Sequence, residues 1–592
     1  MFDYVIKGGT IVDGTGGEAF VADVAVKDGL IVEIGKRLSG PAGETIDADG
    51  ALVTPGFIDP HTHYDGQFVW DDRLDPSFSH GVTTAIGGNC GVGFAPLCHE
   101  HLDALIEMME GVEDIPGIVL DEGLDWKWTS FPDYLERLDQ KSYSMDIGVQ
   151  IPHAPLRVFV MGQRALDHED ATAADIAEMA RLVEEGMAAG AMGFSTGRIL
   201  EHVSSKGVRT PCYAAREEEL HALAEAMGKN GRGVFQIIPK GDAGDLMLEP
   251  LAREEREFEH RLMERVARSA NRPLTYLLHQ IRNDREDWVW MCRESEAKRA
   301  EGIPIFPQVA PRGIGFLSAL AAHHPFLLKP SYKEIAELPL AQRAAAMRDP
   351  ERRRRILSEA DVEATGPQAL RTTSVVKRLR DGAGEMYALG DPPVYEPVPG
   401  QSFRARAQAA GTTPIAIYYD LLASGDGGNL AVNFMLNYWD GNLDAVHGMM
   451  DAPGSILGLG DGGAHLQAIC DASFPTFCLT HWTRDRAHGP RFSVERMVRK
   501  LTSEIADIYG LADRGRIAVG KRADINVIDY ANLAVDRPVI QTDLPAGGRR
   551  YLQGSHGYLA TLVNGVVTRR RDQDTGLRPG RVLGRSARDG LQ

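Results

Sequence analysis

Between residues 55 and 512 the chain repeats one pattern, short strand-like apolar runs separated by helical stretches. Eight runs fit: Phe57–Ile58, Val82–Ile86, Ile147–Ile151, Ala191–Ser195, Gly233–Ile238, Leu274–Leu278, Ile303–Val309 and Ile456–Gly460. Stretches between them, such as Ala171–Ala189 and Glu217–Lys229, carry helical periodicity. Repeated βα units imply a parallel sheet with right-handed crossovers. Eight of them over about 450 residues predict an α/β fold, a (β/α)8 TIM-type barrel with large loop insertions.

The two ends of the chain read differently. Asp3–Lys7, Gly9–Val12, Asp23–Lys27 and Leu30–Ile34 are strand-like, and Asp28-Gly29 between the last two is a strong hairpin signal. This segment is too small to bury both faces of its sheet by itself. The expected donor is the C-terminus, where Gly520–Asp529 reads as a strand and Asn564-Gly565 joins Tyr558–Val563 to Val566–Arg569. The predicted layout is one small β-sandwich built from residues 1–54 and 513–592, with the barrel, residues 55–512, inserted between them. The largest insertion, about 322–450, is expected to cover the barrel mouth and shape substrate choice. Its charged piece, Leu338–Glu359 with Arg352-Arg353-Arg354-Arg355, reads as a solvated helix face. Residues 575–592 read as an exposed or partner-docked tail.

Composition narrows the function. A net charge of −19, from 64 basic and 83 acidic residues, argues against nucleic-acid binding. Six scattered cysteines form neither a disulfide framework nor a Cys-x-x-Cys zinc ribbon. The N-terminus lacks a signal-peptide pattern, and no apolar run reaches the roughly 18 residues of a membrane span. The expected setting is a reducing cytoplasm, without membrane or nucleic-acid partners. A homo-oligomer stays open, since no specific interface is evident.

Chemistry concentrates at the ends of the predicted strands, where barrel active sites lie. In Thr54-Pro55-Gly56-Phe57-Ile58-Asp59-Pro60-His61-Thr62-His63, a short apolar run ends in His-x-His. If the strand continues, His61 and His63 point to one side and offer two nitrogens to a Zn²⁺-class ion. Cys90, in the glycine-rich turn Gly87–Gly91, is either a small buried hydrophobe or a thiolate ligand. His279 follows Leu274–Leu278. Asp461, in Gly460-Asp461-Gly462-Gly463-Ala464-His465, can touch both a metal and its water and carry the proton of hydrolysis; the other reading is a turn aspartate. Asp65 is a candidate to orient an imidazole. His465 and His481 could face the cavity, His465 toward a substrate, and are equally well read as structural histidines. Arg157, Arg198 and Arg312 each follow a strand-like run and could fork a substrate carboxylate, or form a salt bridge at the barrel mouth.

The Pro55–His63 segment, Asn89-Cys90-Gly91, Asp461 and Gly520-Lys521-Arg522-Ala523-Asp524 together resemble the amidohydrolase superfamily. His153–Arg157 and Gly190–Gly197 bring the likeness closer to its N-acyl-D-amino-acid deacylase (D-aminoacylase) branch. The resemblance implies a zinc-dependent hydrolase of a small linear amide, with one or two ions or another divalent metal, Asp461 as general base and Cys90 as a ligand. It also implies histidines after strands five and six. His279 can stand for the second, but strand five reads Gly233–Lys240 with Gln236 and no histidine, and strand four offers no lysine. The ion is therefore expected on His61, His63 and Asp461 with Cys90 bridging or nearby; the other arrangement uses Gln236, a weak ligand. A cyclic-amide, urea or lactone hydrolase, and a catalytically silent scaffold, are the alternatives.

Overall fold

The computed structural model describes residues 1–241, 251–366 and 369–585. Each of the eight expected runs is a strand: β1 (Phe57–Asp59), β2 (Val82–Gly87), β3 (Asp146–Val149, continued by Ile151–Pro152), β4 (Gly193–Gly197), β5 (Val234–Ile238), β6 (Leu274–Leu278), β7 (Ile305–Val309) and β8 (Ile456–Leu457). All pair in parallel with their sequence neighbours, β1 through the first half of β3 in one sheet and the second half of β3 through β8 in another. Gln150 alone separates the two halves of β3. A parallel bridge joins Thr62 to Gly462, and the His63 N–H donates to the Gly462 carbonyl at 2.8 Å. The two edges of the row therefore meet just beyond β1 and β8. Almost every strand residue is buried, as parallel sheets covered on both faces require.

Both chain ends enter one nine-stranded sheet. Ile525–Ile528 lies at its centre, antiparallel to Leu52–Pro55 on one side and to Tyr558–Val563 on the other. The predicted hairpins use Asp28-Gly29 and Asn564-Gly565, all four residues at positive φ, which suits the twist of antiparallel strands. Ile6, Val24, Ile31, Val53, Ile525, Val527 and Leu562 fill the core of this sheet. Gly56 turns the chain from the terminal sheet into β1, where a Cβ would lie 2.1 Å from the Thr83 hydroxyl.

A buried charge cluster explains the Gly520–Asp524 motif. The Arg514 Nη1 sits 2.7 Å and the Arg522 Nη2 2.8 Å from the Asp146 carboxylate at the start of β3, and Arg522 also pairs with Asp524 at 3.0 Å. The terminal sheet is thereby tied to the parallel strands.

Three expectations change. The excursion after β7 begins at Ile314 rather than 322, because Ile314–Ala319 pairs antiparallel with Leu430–Leu436 and Met386–Ala388 completes the sheet. This region has its own core, including Phe326, Tyr332, Phe403, Tyr418 and Tyr419. Its charged piece is two helices, Leu340–Met347 and Pro350–Ser358, split before Pro350, and its arginines pair with Glu334, Asp420 and Glu351. The tail is not wholly exposed: Gly580 and Val582 bridge to Tyr143 and Ile147, and Val582 and Leu583 are buried. Residues 586–592 lie outside the described residues. None of the described helices is long and apolar enough to cross a membrane.

Burial pushes the Asp146 carboxyl up, but Arg522 and Arg514 more than offset this and hold it below its ordinary 3.8. A depressed carboxylate stabilises the folded state above its unfolded pKa, and that contribution is lost as pH falls from 3.8 through the lower folded value. Asp146→Asn is expected to cost about 3–5 kcal/mol by urea unfolding at neutral pH, because it leaves two buried guanidinium groups short of a partner. The loss relative to wild type should shrink in acid.

Candidate metal and hydrolytic site

The His-x-His does not lie within a strand. β1 ends at Asp59, whose carboxyl accepts the His61 N–H at 3.1 Å and turns the chain, so the two histidines sit in the loop beyond it. Both are buried, with ring centroids 5.4 Å apart at 69°. Gly463, at φ +91°, lets the loop after β8 run against this segment; a Cβ there would lie 2.8 Å from the His63 carbonyl oxygen.

Four donors converge. His61 Nε2 is 3.2 Å from Cys90 Sγ and 3.6 Å from Asp461 Oδ1, and His63 Nε2 is 3.9 Å from the same oxygen. One donor atom each from His61, His63 and Cys90 fall within 4.8 Å of one another, all three residues buried. Tetrahedral zinc with bonds of about 2.0–2.3 Å has ligand–ligand edges of about 3.3–3.7 Å. The His61–Cys90 and His61–Asp461 spacings fall near such edges, while Asp461 lies outside the group whose donors are all within 4.8 Å of one another.

The surroundings fix the orientation of each donor. Gln308 on β7 accepts from His61 Nδ1 at 2.8 Å, which assigns the proton to Nδ1 and leaves Nε2 free to ligate. Cys90 stands at φ +58°, and its N–H donates to Gln236 Oε1 at 2.8 Å. The Gly91 N–H donates to Ser195 Oγ at 2.9 Å and the Gly88 N–H to Asp65 Oδ2 at 3.1 Å. Asp65 thus steadies the Cys90 loop rather than an imidazole. His279, one residue beyond β6, is buried and close enough to His61 and Asp461 to act on the protonation of both.

Burial dominates the electrostatics. It pushes the Asp461 carboxyl up to about 7, reinforced by Asp471 and opposed by His279. It pushes Asp59 up to about 8, and lowers His61 to about 4 and His63 well below its ordinary value. Neutral imidazoles are the ligating form.

Other expectations are corrected. Arg157 does not face a substrate: its Nη1 is 2.6 Å from Glu219, with which His153 also pairs at 2.8 Å. Arg198 is held in a fork by Glu259 at 3.0 Å, and Arg312 lies 2.6 Å from Asp471 and over the Tyr395 ring. All three are buried and committed to ion pairs. Gln236 spends its oxygen on the Cys90 N–H, which removes it as the natural ligand. His481 stacks on Phe477 and lies 2.9 Å from Glu396, a structural position. His465 stands 3.8 Å from Glu113 and touches none of the four donors at ion-pair distance. Gln308, Glu113 and Asp59 were not anticipated. Gln308 left one signal, a lone amide inside an apolar strand run; Glu113 left none, since it follows a helix rather than a strand.

The Amidohydrolase family profile matches residues 44–569. The chain belongs to the amidohydrolase family. Among curated relatives of this amidohydrolase is the D-aminoacylase of Alcaligenes xylosoxydans xylosoxydans, 27% identical over 99% of this chain and 98% of that protein. Among solved structures, a D-aminoacylase described by its binuclear metal centre is 24% identical with a TM-score of 0.64, covering 99% of this chain and all of that one. The N-acyl-D-glutamate deacylase of Bordetella bronchiseptica, complexed with zinc and a phosphonate inhibitor, is 23% identical with a TM-score of 0.62 over 98% of this chain and 99% of that one. These likenesses extend over the whole length, so the amidohydrolase fold is shared from end to end.

Gln308→Leu removes the acceptor that orients His61 without touching a donor atom. It is expected to weaken divalent-metal affinity 10- to 100-fold in a chelator competition, with an unchanged circular dichroism spectrum.

Proposed function

We propose that this amidohydrolase cleaves the linear C–N amide bond of small N-acyl amino acids, with D-amino acids the first substrates to test. On this reading β1–β8 form a (β/α)8 barrel, residues 55–512, and residues 1–54 and 513–592 form a companion β-sandwich. The bridge between Thr62 and Gly462 supports closure of the barrel.

The observation that carries the function is the buried cluster of His61, His63 and Cys90, with Asp461 Oδ1 beside it at 3.6 and 3.9 Å from the two imidazoles. Two nitrogens, a sulfur and an adjoining carboxylate suit a divalent cation of the zinc class. Such an ion, when bound, supplies Lewis acidity toward the amide carbonyl and a water acidified enough to attack at neutral pH.

The chain's own groups do the rest. Asp461 Oδ accepts the proton of the attacking water as its oxygen adds to the carbonyl carbon. The tetrahedral carbon then collapses, the C–N bond breaks, and Asp461 returns the proton to the leaving nitrogen. Gln308 holds the His61 ring, and the Gln236 amide holds the backbone of Cys90. Arg157, Arg198 and Arg312 take no part, because Glu219, Glu259 and Asp471 neutralise them.

Two measurements test this. Elemental analysis should find about one or two zinc-class ions per chain in wild type, lost in Cys90→Ala and in His61→Ala/His63→Ala. Wild type that stays metal-free even when purified with zinc would sink the reading. Separately, Asp461→Asn should retain the fold and most of the metal while kcat on N-acyl amino acids falls about 10²–10⁴-fold. Near-normal turnover in that variant would remove Asp461 from proton transfer.

A further inference from the structure

Helix α1 (Leu102–Val112) ends beside the site, and the next two residues carry acidic groups with different partners. The Glu113 side chain is 2% exposed. Its Oε1 lies 3.4 Å from His63 Nδ1 and its Oε2 lies 3.8 Å from His465 Nε2, while its carbonyl accepts the His465 N–H. His63 Nδ1 makes no hydrogen bond among the described residues, so the Glu113 approach at 3.4 Å is an ion-pair contact. The His63 ring therefore stands between two acids, with Nε2 toward Asp461 and Nδ1 toward Glu113.

Asp114, at φ +57°, faces away and pairs with Arg371. Arg371 belongs to helix α2 (Ala369–Asp381) of the excursion after β7, and its Nη1 also donates to the Glu110 carbonyl at 2.8 Å. One guanidinium from the insertion thus grips both ends of the turn that presents Glu113.

We propose that Glu113 is the positioning residue for His63, and that the insertion acts on the metal centre through Arg371, Asp114 and this turn. The inference rests on the reading that His61, His63, Cys90 and Asp461 hold a divalent ion. An imidazole that ligates through one nitrogen keeps its tautomer and ring angle only if the other nitrogen is held. Gln308 does this for His61; Glu113 Oε1, 3.4 Å from Nδ1, is placed to do it for His63. Because Glu113 sits on a turn rather than on a strand, its aim depends on what fixes the turn, and Arg371 supplies that from the insertion. The metal centre and the insertion are then mechanically coupled, with Arg371 acting through the turn and not as a ligand.

The test uses full-length protein loaded with Co²⁺, whose visible and thiolate charge-transfer bands report ligand geometry independently of turnover. Wild type should bind Co²⁺ with a thiolate band that Cys90→Ala abolishes. Glu113→Gln is expected to weaken Co²⁺ affinity 10- to 100-fold and shift the visible bands. Arg371→Met should move both in the same direction by a smaller factor. Lys377→Met, on the same helix but 76% exposed and paired with Asp381, should change neither. Wild-type affinity and bands in Glu113→Gln would overturn the positioning role while leaving the metal site standing. Unchanged bands in Arg371→Met would overturn the coupling to the insertion, and this variant carries the test should Glu113→Gln fail to fold. Absence of Co²⁺ binding by wild type would overturn both the proposal and the functional reading beneath it.

Discussion

The short contact between Thr62 and Gly462 is what the rest of the molecule depends on. It ties the loop after β1 to the loop after β8, so that His61 and His63 meet Asp461 from about 400 residues away in sequence. Neither loop could hold this position by itself, because the bridge and the His63 N–H bond to Gly462 are backbone contacts between segments that no helix or turn connects. Every strand from β2 to β7 contributes indirectly, since each sets where β8 stands relative to β1. A site assembled this way is as precise as the parallel pairing beneath it. That explains why His61, His63 and Cys90 lie in loops and yet are buried.

The molecule uses buried charge in two ways that are easy to confuse. Arg157 with Glu219, Arg198 with Glu259, Arg312 with Asp471 and Arg514 with Asp146 are closed pairs, each guanidinium within 3.0 Å of a carboxylate oxygen. Such pairs cost desolvation and return Coulomb energy and fixed geometry, so they mark architecture rather than catalysis. Around His61 and His63 the pattern is the opposite. Asp59, Asp461 and Glu113 are all raised by burial, and the imidazoles are lowered. This cluster of neutral-leaning donors, with no guanidinium in ion-pair range among the described residues, is an environment that a cation stabilises.

What the sequence disclosed follows from the same distinction. The eight strands were legible because a parallel sheet buried on both faces demands continuous apolar runs. The terminal sheet was legible because Asp28-Gly29 and Asn564-Gly565 carry the backbone requirement of a tight hairpin in their side-chain chemistry. His61, His63, Cys90 and Asp461 stood out because each breaks the pattern of its surroundings at the end of a predicted strand. The arginines left two readings open for the same reason: Arg157, Arg198 and Arg312 hold equivalent places, and nothing local in the sequence shows that Glu219, Glu259 and Asp471 reach them. Glu113 was invisible because its role is set by a tertiary approach and not by any strand end. The start of the insertion at Ile314 was not legible because Ile314–Ala319 pairs with Leu430–Leu436, more than 100 residues away in sequence.

Gln236 is the most instructive position. The family resemblance places a histidine near here, and its loss from strand five looks at first like damage to a metal site. In the fold the amide has a task of its own: its oxygen accepts the Cys90 N–H and holds that residue at φ +58°, a conformation that ordinary side chains avoid. A histidine ring, with nitrogens at fixed places, could not both ligate and accept this bond in the same orientation. Exchange for a glutamine therefore trades a direct ligand for control over the backbone that carries the thiol. With Gln308 doing the equivalent for His61, two neutral amides on β5 and β7 position the sulfur and nitrogen donors that the strand ends of β1 and β2 provide. The donors that lie closest together are then His61, His63 and Cys90.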